Sequence, residues 1–269
     1  MTEGVHASPA LDPMVPNVAR MYDFMLGGKD NYGSDREAVA RLIEISPEVQ
    51  IAARRNREFL GRAVRFVASE GVSQFLDVGA GLPTQENVHE VAQSVAADAR
   101  TVYVDNDPVV LSHANALLAA DARTAVVAGD VREPAAILRD ARASGLLDFA
   151  SPLCLLLVAV LHFVPDADDP PALVAAFRDA LPRGSYLILS HATMDGYPAP
   201  AAPANEQRAG QVYERATAPL TMRGPDEVAR MLAGFDLVEP GLVHVTQWRP
   251  PRPPRPEFDA FLAAVGRKP

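Results

Sequence analysis

The sequence predicts an α/β fold: a Rossmann-like, doubly wound, mostly parallel sheet of seven strands with one antiparallel edge strand and an N-terminal helical cap. Three observations carry that expectation. From about Ser73 onward, short apolar or β-branched runs alternate with amphipathic segments, the pattern of βαβ units. Ahead of them, Pro16 to Gly71 has helical periodicity throughout. The last two apolar runs are separated only by Pro240-Gly241, which reads as a hairpin and so reverses one strand.

In the cap, Val18, Met21, Tyr22 and Met25 recur at helical spacing, and Gly27-Gly28 supply the permissive backbone that ends such a helix. Ser34-Asp-Arg-Glu37 matches a capping box and predicts the next helix start. A third helix starts at Ser46-Pro47 and ends near Gly71, with Phe59, Ala63, Phe66 and Val67 on one face. Strands are expected at Gln74–Val78, Thr101–Asp105, Thr124–Ala128, Leu153–Ala159, Ser185–Ser190, Leu237–Glu239 and Leu242–Trp248. Between them, Asp107-Pro108, Glu133-Pro134 and Asp169-Pro170 each place a capping residue before a proline at the first helical position. A further helix is expected around Gln207–Ala216. The chain reads as a single domain over residues 1–269: a cap over 1–72, a core over 73–248 with an insertion near 192–221, and a tail over 249–269. The first dozen residues and Pro250–Pro256 read as irregular, the latter extended because proline cannot donate to a ladder.

Composition narrows the partners. A formal net charge of −9 argues against a nucleic-acid duplex, which needs a basic surface. The single cysteine, Cys154, has no intramolecular disulfide partner and lies in an apolar run, where a thiol acts as a small hydrophobe. The N-terminal residues lack the basic and apolar regions of a secretory signal, and the longest apolar stretch, Leu153 to Val160, is too short to cross a bilayer. A cytoplasmic protein without a membrane partner is expected. The histidines and the cysteine show no metal-ligand spacing, so no metal is expected. Neither a nucleophile elbow nor a phosphate loop of the G-x-x-x-x-G-K-[ST] kind is present.

The chemistry concentrates at strand ends. Phe75-Leu-Asp-Val-Gly-Ala-Gly81 is a strand that runs into two glycines, and Gly79 and Gly81, with Ala80 between them, allow close backbone approach to a ligand. The spacing is G-x-G-x-x-T, so the third glycine of a dinucleotide fingerprint is missing. Asp77 would repel a pyrophosphate but attract the ammonium and sulfonium of S-adenosylmethionine. Asp105, with Asn106 beside it, ends the second strand where an acidic side chain accepts hydrogen bonds from ribose hydroxyls. Asp107 reads as a helix cap. Asp130, followed by Val131, ends the third strand and suits the exocyclic amine of adenine. Helix capping or turn formation is the alternative reading of Asp105 and Asp130.

Asp77-x-Gly79-x-Gly81, Asp105 and Gly129-Asp130 together resemble the successive motifs of class I S-adenosylmethionine-dependent methyltransferases, over roughly Ser73 to Trp248. That resemblance implies a seven-stranded sheet with a reversed final strand, S-adenosyl-L-methionine as cofactor and S-adenosyl-L-homocysteine as product. One departure is Pro83, where many members carry glycine. The stretch Val15 to Gly33, with Ala53 to Leu60, resembles more narrowly a largely uncharacterised actinobacterial methyltransferase family and extends the likeness to nearly the whole chain. Within these stretches Tyr22, Gly28, Lys29, Asn31, Tyr32 and Arg57 are candidate cofactor contacts: Gly27 to Tyr32 as a lid over the cleft, Arg57 as a carboxylate anchor. The alternatives are a helix end with a polar loop, and a solvated helix face shared with Arg54, Arg55 and Asn56.

His162 and His191 follow the fourth and fifth strands, where open α/β sheets place ligands. They are candidate bases or substrate contacts, and each reads equally as a satisfied structural histidine. Tyr197, Tyr213 and Arg215, in the insertion, are candidate contacts to the acceptor, with packing as the alternative. The expected function is methyl transfer to an unidentified small-molecule acceptor. The competing reading is a non-catalytic or regulatory binding protein on the same fold, for which a sealed acceptor side would speak.

Overall fold

The computed structural model describes residues 12–83, 86–118, 121–195, 197, 202–252 and 259–269. Thr84 of the glycine-rich turn, the alanine-proline loop at 198–201, most of the first dozen residues and most of Pro250–Pro256 lie outside them.

Three helices form the cap: α1 (Val18–Leu26), α2 (Gly33–Ile45) and α3 (Val49–Ser69). Asn17 caps α1, its Oδ1 accepting from the N–H groups of Ala19 and Arg20 at 2.9 and 3.1 Å, and Gly27 closes it at φ +87°. The cap of α2 lies two residues earlier than the Ser34 motif predicts. Asp35, not Glu37, reaches back, and its Oδ2 accepts from the Tyr32 N–H at 2.7 Å. The preference follows from burial: Asp35 also accepts from the Asn17 N–H and pairs with Arg20 at 2.8 Å, so one buried carboxylate fastens α1 to α2.

The core strands are β1 (Gln74–Val78), β2 (Arg100–Asp105), β3 (Thr124–Ala128), β4 (Cys154–Val158) and β5 (Tyr186–Ala192). They run parallel in the order β3-β2-β1-β4-β5. The helices between them are α4 (Val88–Gln93), α5 (Pro108–Leu118), α6 (Pro134–Ala143) and α7 (Pro170–Ala180), and the last three begin at the prolines marked in the sequence. The insertion carries α8 (Ala202–Tyr213), followed by α9 (Pro225–Met231). Both sheet faces are buried. Leu76, Val102, Leu155 and Leu187 pack one way, Phe75, Tyr103, Leu156 and Ile188 the other, as alternation along a strand requires. A third apolar cluster joins Met21, Met25, Val39 and Leu42 of the cap to Ala209, Val212 and Tyr213 of α8.

The sheet has eight strands rather than seven. The expected hairpin is not formed. Its two runs shrink to β6 (Asp236–Leu237) and β7 (Val243–His244), and both pair antiparallel with the same third strand, β8 (Phe261–Arg267). Pro240-Gly241 interrupts one shared edge there, the Gly241 N–H donating to the Val238 carbonyl at 2.9 Å. The reversed strand is therefore β8, in the stretch assigned to a tail. It lies between β5 and the edge fragments, pairing with β5 from Tyr186–Arg267 to Ala192–Phe261. Seven apolar-rich residues satisfying backbone groups on both sides outcompete two short runs divided by a proline without an N–H.

None of the described helices is long and apolar enough to cross a membrane. Among the described residues no cluster of three or more His, Cys, Asp or Glu side chains converges as a metal site would require.

Candidate active site

The strand order reverses between β1 and β4, and a cavity of about 250 Å³ opens at the C-terminal ends of β1 to β4. Its floor is Asp77, Gly79 to Gly81, Asp105 to Asp107, Gly129 to Arg132 and Val158 to Val160. Tyr22 of α1, Asn56, Arg57 and Leu60 of α3, and Thr217 to Pro219 close it from above. Gly79 stands at φ +76°, and a Cβ there would lie 2.5 Å from Val160 Cγ2. Gly81 stands at φ +66° in open space, and its N–H donates to Asp105 Oδ2 at 2.9 Å. Ala159 also holds a positive φ, +55°, a costly conformation for a residue with a Cβ and one that concentrates at functional sites.

The carboxylates differ in their partners. Asp105 accepts from the N–H groups of Gly81 and Asp107, at 2.9 Å each, yet burial pushes its pKa up to about 6. Asp107 caps α5 through the N–H groups of Val109 and Val110 at 2.6 and 3.2 Å, as its sequence position predicts, and also accepts from the Asn17 amide. At Asp130, burial raises the pKa, but a bidentate clamp from Arg132 at 3.0 and 2.6 Å outweighs it and leaves the group below its ordinary value. Asp77 stands apart. It is buried, it meets no hydrogen-bond donor among the described residues, and burial pushes its pKa up to about 7, partly offset by Arg57 and reinforced by Asp105. Nearby, Asn56 donates to the Tyr22 hydroxyl at 3.0 Å while its own Oδ1 is buried without a partner among the described residues.

Asp77, Gly79, Ala80, Gly81, Asp105, Asn106, Asp130, Val131, Tyr22 and Arg57 thus share one cavity. Gly28, Lys29, Asn31 and Tyr32 do not line it. The Asp23 carboxylate gathers that loop, accepting from the Asp30 N–H at 3.0 Å and the Asn31 amide at 2.9 Å, and a Cβ on Gly28 would lie 1.9 Å from Asp23 Oδ1. The loop is tied to α1 through Asp23 and to α2 through Arg36, which donates to Asn31 at 3.0 Å, and Asp30 lies 3.7 Å from His113 of α5. Asn17 and Thr217 to Pro219, which sequence reasoning passed over, belong to the cavity, as does Asn56, which was read as part of a solvated helix face. Only Asn17 carried a local signal, as a capping residue directly after Pro16.

A second chamber of about 110 Å³ shares Val18, Tyr22 and Phe163 with the first. His162, Tyr197 and Tyr213 line it, whereas Arg215 is exposed and lines neither space. His191 also lines neither. Its Nδ1–H donates to the Ala192 carbonyl at 2.8 Å, and its Nε2 accepts from Arg223 at 3.0 Å. With both nitrogens occupied and burial depressing its pKa to about 4, it is a structural residue rather than a base. His162 Nδ1 accepts from the Ala192 N–H at 3.3 Å, which makes the neutral ring an Nε2–H donor, and burial holds its pKa well below the ordinary value.

A buried carboxylate that meets no hydrogen-bond donor among the described residues, in a cavity where glycines bring the backbone close, fits a cationic nucleoside. Sheet order, reversed strand and site together define the class I S-adenosylmethionine-dependent methyltransferases. The chain belongs to the S-adenosyl methyltransferase family, which it matches over residues 5–269, and S-adenosylmethionine is its cofactor. Its structure is similar to that of a candidate methyltransferase from Thermobifida fusca, at 42% identity over 98% of this chain and 99% of that one, with a TM-score of 0.88. It is equally similar to a DUF574 family protein from Streptomyces avermitilis, at 40% identity over 96% and 99% of the two chains, with a TM-score of 0.89. An N-methyltransferase from Bradyrhizobium japonicum, 16% identical over 80% and 97% of the chains with a TM-score of 0.50, shares the fold. No curated protein matches the chain.

Proposed function

We propose that the protein transfers a methyl group from S-adenosylmethionine to a small-molecule acceptor. The observation that carries this is Asp77, a buried carboxylate beside the glycine turn that meets no hydrogen-bond donor among the described residues. When bound, S-adenosylmethionine would supply an electrophilic methyl carbon on cationic sulfur, with a neutral thioether as the leaving group. Asp77 would balance the cofactor's positive charge, Asp105 would take the ribose hydroxyls and Arg57 the carboxylate. The walls exclude water and hold the acceptor in line, and positioning of this kind supplies up to about 7–11 kcal/mol of barrier reduction. His162, with its free lone pair already engaged, orients the acceptor as a donor, and a proton displaced from the attacking atom leaves to solvent.

The second chamber beside the cofactor cavity speaks against a binding-only protein, for which a sealed acceptor side was expected. Incubating the protein with methyl-labelled S-adenosylmethionine and small-molecule fractions tests the reading. Label appearing in a low-mass product is expected; cofactor binding with no transfer to any fraction would count against catalysis.

A further inference from the structure

The second chamber has a chemistry of its own. No Asp, Glu, Lys or Arg lines it among the described residues. An ion placed there would lose its hydration without gaining a counter-charge, which disfavours a charged occupant. Its walls are instead the rings of Tyr22, Phe163, Tyr213 and Phe261 and the thioethers of Met194 and Met222, surfaces that suit the faces and edges of another ring. Its size of about 110 Å³ approaches that of dry cavities, on the order of 150 Å³, that hold a single benzene.

Polar groups are few and mostly committed. Tyr197 accepts from the Asn205 amide at 2.9 Å, and Tyr22 donates to the Ala53 carbonyl at 3.1 Å while accepting from Asn56. His162 keeps Nε2–H without a protein partner among the described residues, because Nδ1 is taken by the Ala192 N–H. His162 Nε2–H and the Tyr213 hydroxyl, which has no partner among the described residues, are donors in an uncharged, mostly apolar box, and they call for a hydrogen-bond-accepting atom on the occupant.

We propose that this chamber receives the methyl acceptor, and that the acceptor is an uncharged molecule built on a single apolar ring that presents a hydrogen-bond-accepting atom to His162 Nε2–H. This deepens the methyl-transfer reading and rests on it. The test uses the full chain saturated with S-adenosylhomocysteine, whose binding is first established by calorimetry. Benzamide, benzoate and benzylamine, one ring in neutral, anionic and cationic form, are then titrated by ligand-observed NMR. Benzamide is expected to bind at least about tenfold more tightly than either ion, corresponding to the roughly 1.4 kcal/mol that a tenfold ratio represents. Ala209→Phe, and independently Met194→Phe, fill the chamber and are expected to weaken benzamide at least about tenfold while S-adenosylhomocysteine affinity stays within about twofold, which also reports that the variants are folded. Equal binding of the three rings, tighter binding of either ion, no ring binding to the loaded protein, or unchanged benzamide binding in both filled variants would overturn the proposal. Failure of S-adenosylhomocysteine to bind the unaltered protein would instead remove the methyl-transfer reading itself.

Discussion

At neutral pH an Asp77 carboxyl with a pKa near 7 is about half protonated, and its neighbour Asp105, near 6, is mostly ionised. Both values lie above those of the unfolded chain, so the cofactor-free fold holds protons that the unfolded chain releases. The stability this contributes is complete below about pH 4 and is lost as pH rises through 6 and 7. A bound cation reverses the preference by favouring the ionised carboxylates. Cofactor affinity should therefore rise by up to about tenfold per pH unit below 7 and level off above it, with proton release on binding at pH 6.5 that disappears at pH 9. Calorimetry in buffers of different ionisation enthalpy measures both, and a flat affinity profile would refute the assignment. The glycines make a paired test. Gly79→Ala meets Val160 and keeps a positive φ, so it should cost about 2–4 kcal/mol in urea unfolding. Gly81→Ala has open space and should cost only about 1–2 kcal/mol, from φ alone. Equal losses would show that Val160 yields to the added methyl.

Among elements, the one least legible in the sequence has the largest structural consequence. β8 follows a proline-rich stretch, and its Ala263 and Ala264 weaken the strand signal, so residues 249–269 read as a tail. Tertiary pairing decides otherwise, since β5 needs a partner on its open side and β8 supplies seven residue pairs. Ending the chain after Ala260 should expose that edge and abolish cooperative unfolding monitored by circular dichroism, whereas a dispensable tail would leave the transition intact. The helix starts at Pro108, Pro134 and Pro170 were legible because capping and proline geometry are local. The Gly27 to Tyr32 loop misled for the converse reason. Its polar residues suggest a ligand, and only the fold reveals that Asp23 takes the Asp30 N–H and the Asn31 amide.

For the whole molecule, parallel strands deliver their C-terminal ends to one edge, which is why Asp77, Asp105 and Asp130 could be grouped from sequence alone. What closes that edge was out of reach of local reasoning. Asn17 contacts Asp107 across 90 positions and Thr217 across 200, so the upper wall is a product of folding rather than of any motif. The acceptor chamber is likewise assembled from the cap, two strand ends and the insertion, and of its lining only His162, Tyr197 and Tyr213 were anticipated. Calorimetric titration of S-adenosylmethionine into the unaltered protein and into Asp77→Asn tests the electrostatic account most directly. One cofactor should bind per chain, and the amide should weaken it about 10- to 100-fold without lowering the thermal transition of the free protein. An Asp77→Asn variant that binds S-adenosylmethionine within about twofold of the unaltered protein would contradict it.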